Sequence, residues 1–116
     1  MRVLHPFVLA AVLLAAAPSA AHHGWGSYDA ATAVDITGTI RAMSYDNPHG
    51  MVHLEVPGKT WMVVLAPPFR MLNRGLPAEM LAVGKTARVV GYPHRSDPTE
   101  LRAERITVDG KTVELR

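Results

Sequence analysis

The sequence predicts an all-β fold, a small OB-fold-like barrel of five or six strands with a short helical connection between strands three and four. Segments that alternate apolar and polar residues recur from residue 34 onward, separated by clusters of Gly, Pro, Asn and Asp. The one stretch with helical spacing, residues 69–81, follows the third of these segments, and this is the element order of an OB-fold. An SH3-like barrel or an open sandwich is the alternative architecture.

Three strands are predicted before the helical stretch. Residues 34–43 alternate, and Gly38 interrupts their apolar row where we expect a bend or bulge. Residues 47–64 indicate two further strands joined by a turn at residues 57–59. Because successive strand side chains point to opposite faces, the first of these two strands has a core face and an outer face. The core set is Val52, Leu54 and Val56, and the outer set is His49, Met51, His53 and Glu55.

The second half of the chain supplies the helical connection and the remaining strands. Gly75 and Pro77 interrupt the helical spacing of residues 69–81, so we expect two short helical turns rather than one helix. Strands four and five are predicted over residues 87–92 and 101–108, the latter with an irregularity at Glu104–Arg105. A two-residue hairpin turn at Asp109–Gly110 then lets residues 111–115 pair back as a sixth strand.

The first 21 residues have the features of a secretory signal peptide. Arg2 gives a positive start, residues 7–17 form an apolar run too short to span a bilayer, and residues 19–21 fit a small-residue cleavage site. We expect a monomer in the periplasm, without a membrane span after cleavage. The chain is divided into a signal peptide at residues 1–21, an N-terminal arm at residues 22–33, and a barrel domain at residues 34–116.

Composition argues against several classes of function. After loss of Arg2, 11 Lys and Arg residues face 10 Asp and Glu residues, a balance that gives no electrostatic reason to expect a nucleic-acid partner. The chain has no Cys, which excludes disulfides, thiolate metal sites and thiol catalysis. Its acidic residues are scattered and no Ser lies in a nucleophile elbow, so we expect no enzyme.

The outer set of the second strand suggests a metal site. Imidazole and thioether groups are soft, neutral ligands that suit copper, and alternate strand positions can present them to one side. We therefore expect copper binding by His49, Met51 and His53, with Met62 or Met43 approaching from the flanking strands. The alternative is a solvated strand face on which Met simply covers apolar surface.

Two further His residues would begin the processed chain. Cleavage near residue 21 leaves His22 and His23 at or next to the new amino terminus, where a terminal amine and an imidazole form a nitrogen-rich chelate for copper(II). The alternative is a hydrophilic start without a metal.

A non-metal function is the second hypothesis. Aromatic, His and Arg side chains would dock an envelope protein or a small polar ligand, since barrel loops often carry binding residues. The alternative is that the aromatic rings plug the core or the barrel mouth and that the loop is merely solvated. The residues concerned are Trp25, Trp61, Tyr92, His94 and Arg95.

The processed chain as a whole resembles an uncharacterised family of small exported proteobacterial proteins. This resemblance implies no function. It is carried by His22–Trp25, Ile36–Thr39, Asn47–His49, Leu65–Pro68, Gly91–Pro93 and Leu101–Glu104.

A second resemblance rests on architecture. The signal peptide, a Thr-Gly-x-Ile first strand, a His in strand two and a Trp and Met in strand three are similar to the periplasmic copper/silver-binding OB-fold chaperones of metal-efflux systems. It implies a metal-efflux partner and a monovalent ion held by His53 and Met62 under a Trp61 cap. That family has Trp-x-x-Met-x-Met on one strand; here Trp61 and Met62 are adjacent and Val64 stands where a second Met would be, so Met51 or Met43 would supply the second sulfur.

Overall fold

The computed structural model describes residues 2–3 and 24–116 of the 116-residue chain. The rest of the predicted signal peptide, with His22 and His23, lies outside the described residues. The strands are β1 (Val34–Ser44), β2 (Met51–Val56), β3 (Lys59–Val64), β4 (Thr86–Pro93), β5 (Glu100–Val108) and β6 (Lys111–Glu114). The helical elements are α1 (Pro68–Asn73) and two 3-10 turns, Trp25–Ser27 and Ala78–Leu81.

Five strands close into a barrel. β1 pairs antiparallel with both β2 and β4, β2 pairs with β3, and β4 pairs with β5. A parallel pairing of β3 with β5 completes the circle, and β6 extends the sheet beyond β5. The predicted small barrel is therefore confirmed, as is the short helical connection between strands three and four. No helix in the described part of the chain is long and apolar enough to cross a membrane.

Alternation places one face of every barrel strand inside. Val52 and Leu54 of β2 are fully buried together with Val63 of β3, as the predicted core face requires. Two short helical elements in place of one helix follow from Gly75, whose φ is +81°, and from the Pro77 that caps the second element. They bury Met71 and Leu81, and the residue Leu76 between them, against the barrel core.

The irregularity predicted in strand five is present. Val90 pairs with Arg105 and Gly91 pairs with Ala103, so Glu104 is the extra residue of a β-bulge. The predicted hairpin turn is present too, with φ values of 51° at Asp109 and 76° at Gly110, the left-handed pair that a tight hairpin needs.

The bulge in the first strand lies at Arg41, so its expected position at Gly38 was wrong. Ile40 pairs with Leu54 and Ala42 pairs with His53, which leaves Arg41 as the extra residue. Gly38 serves close approach instead, since a Cβ there would overlap the carbonyl oxygen of Glu55 on β2.

The Arg41 bulge decides the direction of the following side chains. Met43 pairs with Val52 and packs against the core, whereas Ala42 and Ser44 lie opposite His53 and Met51. Met43 therefore packs against the core, although its side chain also lines the concavity beside Met51 and His53.

The helical connection also covers the end of β6. Arg70 donates from a terminal guanidinium nitrogen to the Leu115 carbonyl at 3.1 Å, and Arg74 donates to the Glu114 carbonyl at 2.8 Å and the Arg116 carbonyl at 3.0 Å. These bonds tie α1 to the last residues of the chain.

Gly38→Ala is expected to destabilise the barrel. The new methyl group overlaps backbone that cannot move without separating β1 from β2, so we expect a loss of about 1–3 kcal/mol in the free energy of unfolding, the usual cost of overpacking. Urea denaturation of the purified protein measures it. Gly26→Ala is the matched control because no atom lies within 4 Å of a Cβ there, and an equal loss in both variants would contradict the assignment.

Candidate functional site

Predicted metal ligands lie together on the outer face of the barrel. His53 on β2 is exposed and lies directly opposite Met62 on β3, an arrangement that brings Cβ atoms to about 4.5–5.5 Å. Met51 occupies the same face two residues earlier and lies opposite Val64. We call Met51, His53 and Met62 the His–Met surface.

A shallow concavity accompanies this surface. It has a volume of about 230 Å³, and Met51 and His53 line it together with Ala42, Met43 and Ser44 of β1. The β1 residues opposite the two ligand candidates are small, so they leave space beside the imidazole and the thioether.

A second concavity, the N-terminal cleft, adjoins the first. Its volume is about 280 Å³. Outer-face residues of the adjacent strands β2, β3 and β5 form its floor. Its walls are formed by the β1–β2 connection, the N-terminal segment and the residue that follows β4. The lining residues are Ser27, Tyr28, Pro48, His49, Met51, Val64, His94, Glu100 and Arg102.

His49 and His53 therefore line different concavities. His49 belongs to the N-terminal cleft and His53 to the concavity of the His–Met surface, and Met51 borders both. The two imidazoles do not share one concavity, although one thioether adjoins each of them.

Backbone bonds hold the N-terminal segment against the barrel. Tyr28 forms a β-bridge with His94, and the N–H of Asp29 donates to the Pro93 carbonyl at 2.9 Å. Arg95 adds two bonds, from its N–H to the Ser27 carbonyl at 2.9 Å and from Nε to the Gly26 carbonyl at 3.0 Å. One wall of the cleft is thus fixed to the β4–β5 loop.

A buried hydroxyl and a carboxylate meet in the cleft. The Tyr28 hydroxyl donates to Oε2 of Glu100 at 2.6 Å. Burial, and then the hydrogen bond to the Glu100 carboxylate, raise the pKa of Tyr28 well above its usual value, so this side chain remains a neutral donor. The Nε2 atom of His94 lies 3.7 Å from the same carboxylate oxygen.

The tautomer of His94 follows from its backbone contacts. Its Nδ1 accepts the N–H groups of Ser96 at 3.1 Å and Asp97 at 3.0 Å. In the neutral ring the proton therefore resides on Nε2, the atom that lies near Glu100. His94 presents a donor to the cleft and not a lone pair for a metal.

Arg102 lies beneath the N-terminal segment. Its side chain is buried, and the guanidinium carbon lies 4.3 Å from the centre of the Trp25 ring. Burial lowers the pKa of Arg102, and the positive charges of Arg70 and Arg116 lower it further. Trp25 also packs edge-on against Tyr92, with ring centres 6.1 Å apart.

The predicted aromatic set is only partly assembled. Trp25, Tyr92, His94 and Arg95 gather around the N-terminal segment. Trp61 does not join them: it pairs with the inward-facing Leu54, packs against the core, and carries the Lys59 ammonium 3.3 Å from its ring centre. Because neighbouring strand residues point to opposite faces, Trp61 cannot cap an ion held by Met62.

Two charged residues of the cleft were missing from the predicted site. Glu100 and Arg102 contribute the carboxylate and the guanidinium. Alternation along strand five would place residues 100 and 102 on one face, which is the only signal that sequence offers for them.

A larger concavity does not contain predicted ligands. It measures about 690 Å³ and lies between β1 and the β2–β3 turn, where residues 37–39 and 55–60 line it. It is open to solvent, and its two charged residues are Glu55, which pairs with Arg41, and Lys59, which covers Trp61. We therefore assign no site to it.

Metal sites built from His and carboxylate groups alone are not found. Across residues 2–3 and 24–116, no three His, Asp or Glu side chains are grouped so that they could hold an ion.

Comparison with known proteins gives a family and no function. The chain matches a family of unknown function, DUF6152, over residues 10–102. It belongs to this family. The match includes every lining residue of the N-terminal cleft and all of the His–Met surface. No curated protein matches the chain.

Acid is expected to release the loop beneath His94. The backbone N–H and hydroxyl of Thr99 hold the pKa of Asp97 below its usual value of 3.8, so the stability that this carboxylate contributes is present above pH 3.8 and is lost as pH falls through its lower folded pKa. The amide NMR signal of Thr99 should titrate with a midpoint below 3.8. Asp97→Asn should abolish this titration, and a midpoint at or above 3.8 would contradict the interaction.

Proposed function

We propose that this protein binds a soft transition-metal ion, copper(I), on its His–Met surface. The observation that carries the proposal is the strand register, which sets His53 directly opposite Met62 and places Met51 on the same face. Three side chains of the ligand types that copper prefers thereby extend from two adjacent strands.

The ligand set suits a monovalent ion. Imidazole and thioether are neutral, so they hold copper(I) without bringing a second charge into the site. Met side chains are unbranched and flexible, which allows two sulfur atoms to converge from positions that differ by one row of the sheet. Ala42 and Ser44 leave the space that such rearrangement needs.

His49 is a second candidate imidazole. It lines the N-terminal cleft, which Met51 also borders, so exchange of one imidazole for the other offers a route for an ion to arrive or leave. His22 and His23 would add nitrogen ligands at the amino terminus of an exported chain.

In this proposal the protein carries an ion and catalyses no reaction. The signal-peptide features of residues 1–21 support export to the periplasm, and a metal-efflux component of the cell envelope is the partner that would receive the ion. The barrel supplies a rigid support, since the ligands belong to paired strands rather than to loops.

Volume-conserving substitutions test the ligands. Met62→Leu, Met51→Leu and His53→Ala should each weaken copper(I) binding at least about tenfold, because each removes one donor atom. Competition with a chromophoric copper(I) chelator measures the affinity. Met80→Leu is the matched control, since Met80 packs against the core and should leave the affinity unchanged.

Two results would contradict the proposal. One is wild-type protein that binds copper(I) no more tightly than His53→Ala does. The other is a His49→Ala variant that loses copper(I) binding while His53→Ala keeps it. That result would place the ion in the N-terminal cleft and not on the His–Met surface.

A further inference from the structure

The N-terminal cleft combines a carboxylate, a guanidinium and an apolar floor. We propose that it binds a small zwitterion of the α-amino acid class. The ammonium group would meet Glu100, the carboxylate would meet Arg102, and the side chain would lie on Met51 and Val64. This ligand differs from the proposed copper ion, although Met51 borders both sites.

Glu100 is positioned to receive an ammonium group. Its side chain is 17% exposed, and the Tyr28 hydroxyl at 2.6 Å fixes one carboxylate oxygen. A carboxylate accepts about four hydrogen bonds, so the Tyr28 hydroxyl and the nearby Nε2 of His94 leave acceptor capacity for a ligand. A partly desolvated carboxylate binds a cationic group more strongly than one in bulk water.

Arg102 supplies the opposite charge at a suitable spacing. It follows Glu100 by two residues on β5, so the two side chains leave the same face of the strand about 7 Å apart at their bases. Arg102 is 6% exposed, and its guanidinium carbon packs over the Trp25 ring, 4.3 Å from the ring centre. A guanidinium presents a planar fork of donors that matches a carboxylate.

The remaining lining sets the size and polarity of the ligand. Pro48, Met51 and Val64 provide apolar surface. A volume of about 280 Å³ admits a free amino acid and excludes a folded partner. Apolar walls with a few fixed polar groups are typical of small-molecule sites.

Simple ions fit the cleft less well. Glu100 at its centre repels an anion, and Arg102 on the same face repels a cation without a negative group of its own. A metal bound by His94 would need its Nε2 lone pair, and the contacts of Nδ1 with Ser96 and Asp97 place the proton on Nε2. A ligand that carries both charges satisfies both side chains.

The experiment compares one zwitterion with two analogues, an amine that lacks the carboxylate and an acid that lacks the ammonium group. Leucine, isopentylamine and 4-methylpentanoate share an apolar group, and only leucine carries both charges. Isothermal titration of the full processed chain should show saturable binding of leucine and at least tenfold weaker binding of the amine and of the acid.

Glu100→Gln keeps the shape of the side chain and removes its charge, so it should weaken leucine binding at least tenfold. Glu79→Gln is the matched control, because Glu79 lies on a 3-10 turn away from the cleft lining. Thermal denaturation establishes that both variants are folded. Glu100→Gln keeps all three proposed copper(I) ligands, so it should still bind copper(I), and failure of one proposal is distinguishable from failure of the other.

Three results would overturn the inference. The first is absence of saturable leucine binding to the folded wild type. The second is binding of the acid or the amine alone as tightly as leucine, which would make the cleft a simple ion site. The third is a folded Glu100→Gln variant that binds leucine with unchanged affinity.

Discussion

The parallel pairing of β3 with β5 is the constraint on which the outer surface depends. It sets Met62 beside Glu100 and Val64 beside Arg102, so residues far apart in the chain form adjacent rows of one face. The same pairing closes the barrel and buries Val63 and Leu101 inside it. Core formation and the arrangement of the outer chemical groups are therefore consequences of one register.

Two local features then divide that face into separate environments. The bulge at Arg41 sets the small residues Ala42 and Ser44 opposite β2, and the concavity beside His53 lies there. The N-terminal segment around Tyr28 is hydrogen-bonded to the β4–β5 loop and forms one side of the cleft that contains Glu100 and Arg102. The result is an open surface of soft ligands next to a walled cleft of charged groups.

Local alternation was enough to predict the barrel strands and the faces of Met51 and His53, because a strand side chain's direction depends only on its position. The same rule places Trp61 and Met62 on opposite faces of β3, although the chaperone resemblance implies that Trp61 caps an ion bound by Met62. The cleft could not be predicted, since it needs the β3–β5 register and the Tyr28–His94 bridge, which link distant segments. The Arg41 bulge was missed because Gly38 offered the stronger local signal for an irregularity. Gly38 instead allows the backbone of β1 to lie close to the Glu55 carbonyl of β2.

The arginine contacts at the carboxyl end have a consequence for assembly. β6 pairs with β5 on one side, and an uncovered outer strand is a template on which other chains can add strands. The guanidinium groups of Arg70 in α1 and of Arg74 directly after it donate to the carbonyl oxygens of Glu114, Leu115 and Arg116. The Glu114 carbonyl of β6 and the two carbonyls that follow it are thereby unavailable for pairing with a strand of another chain.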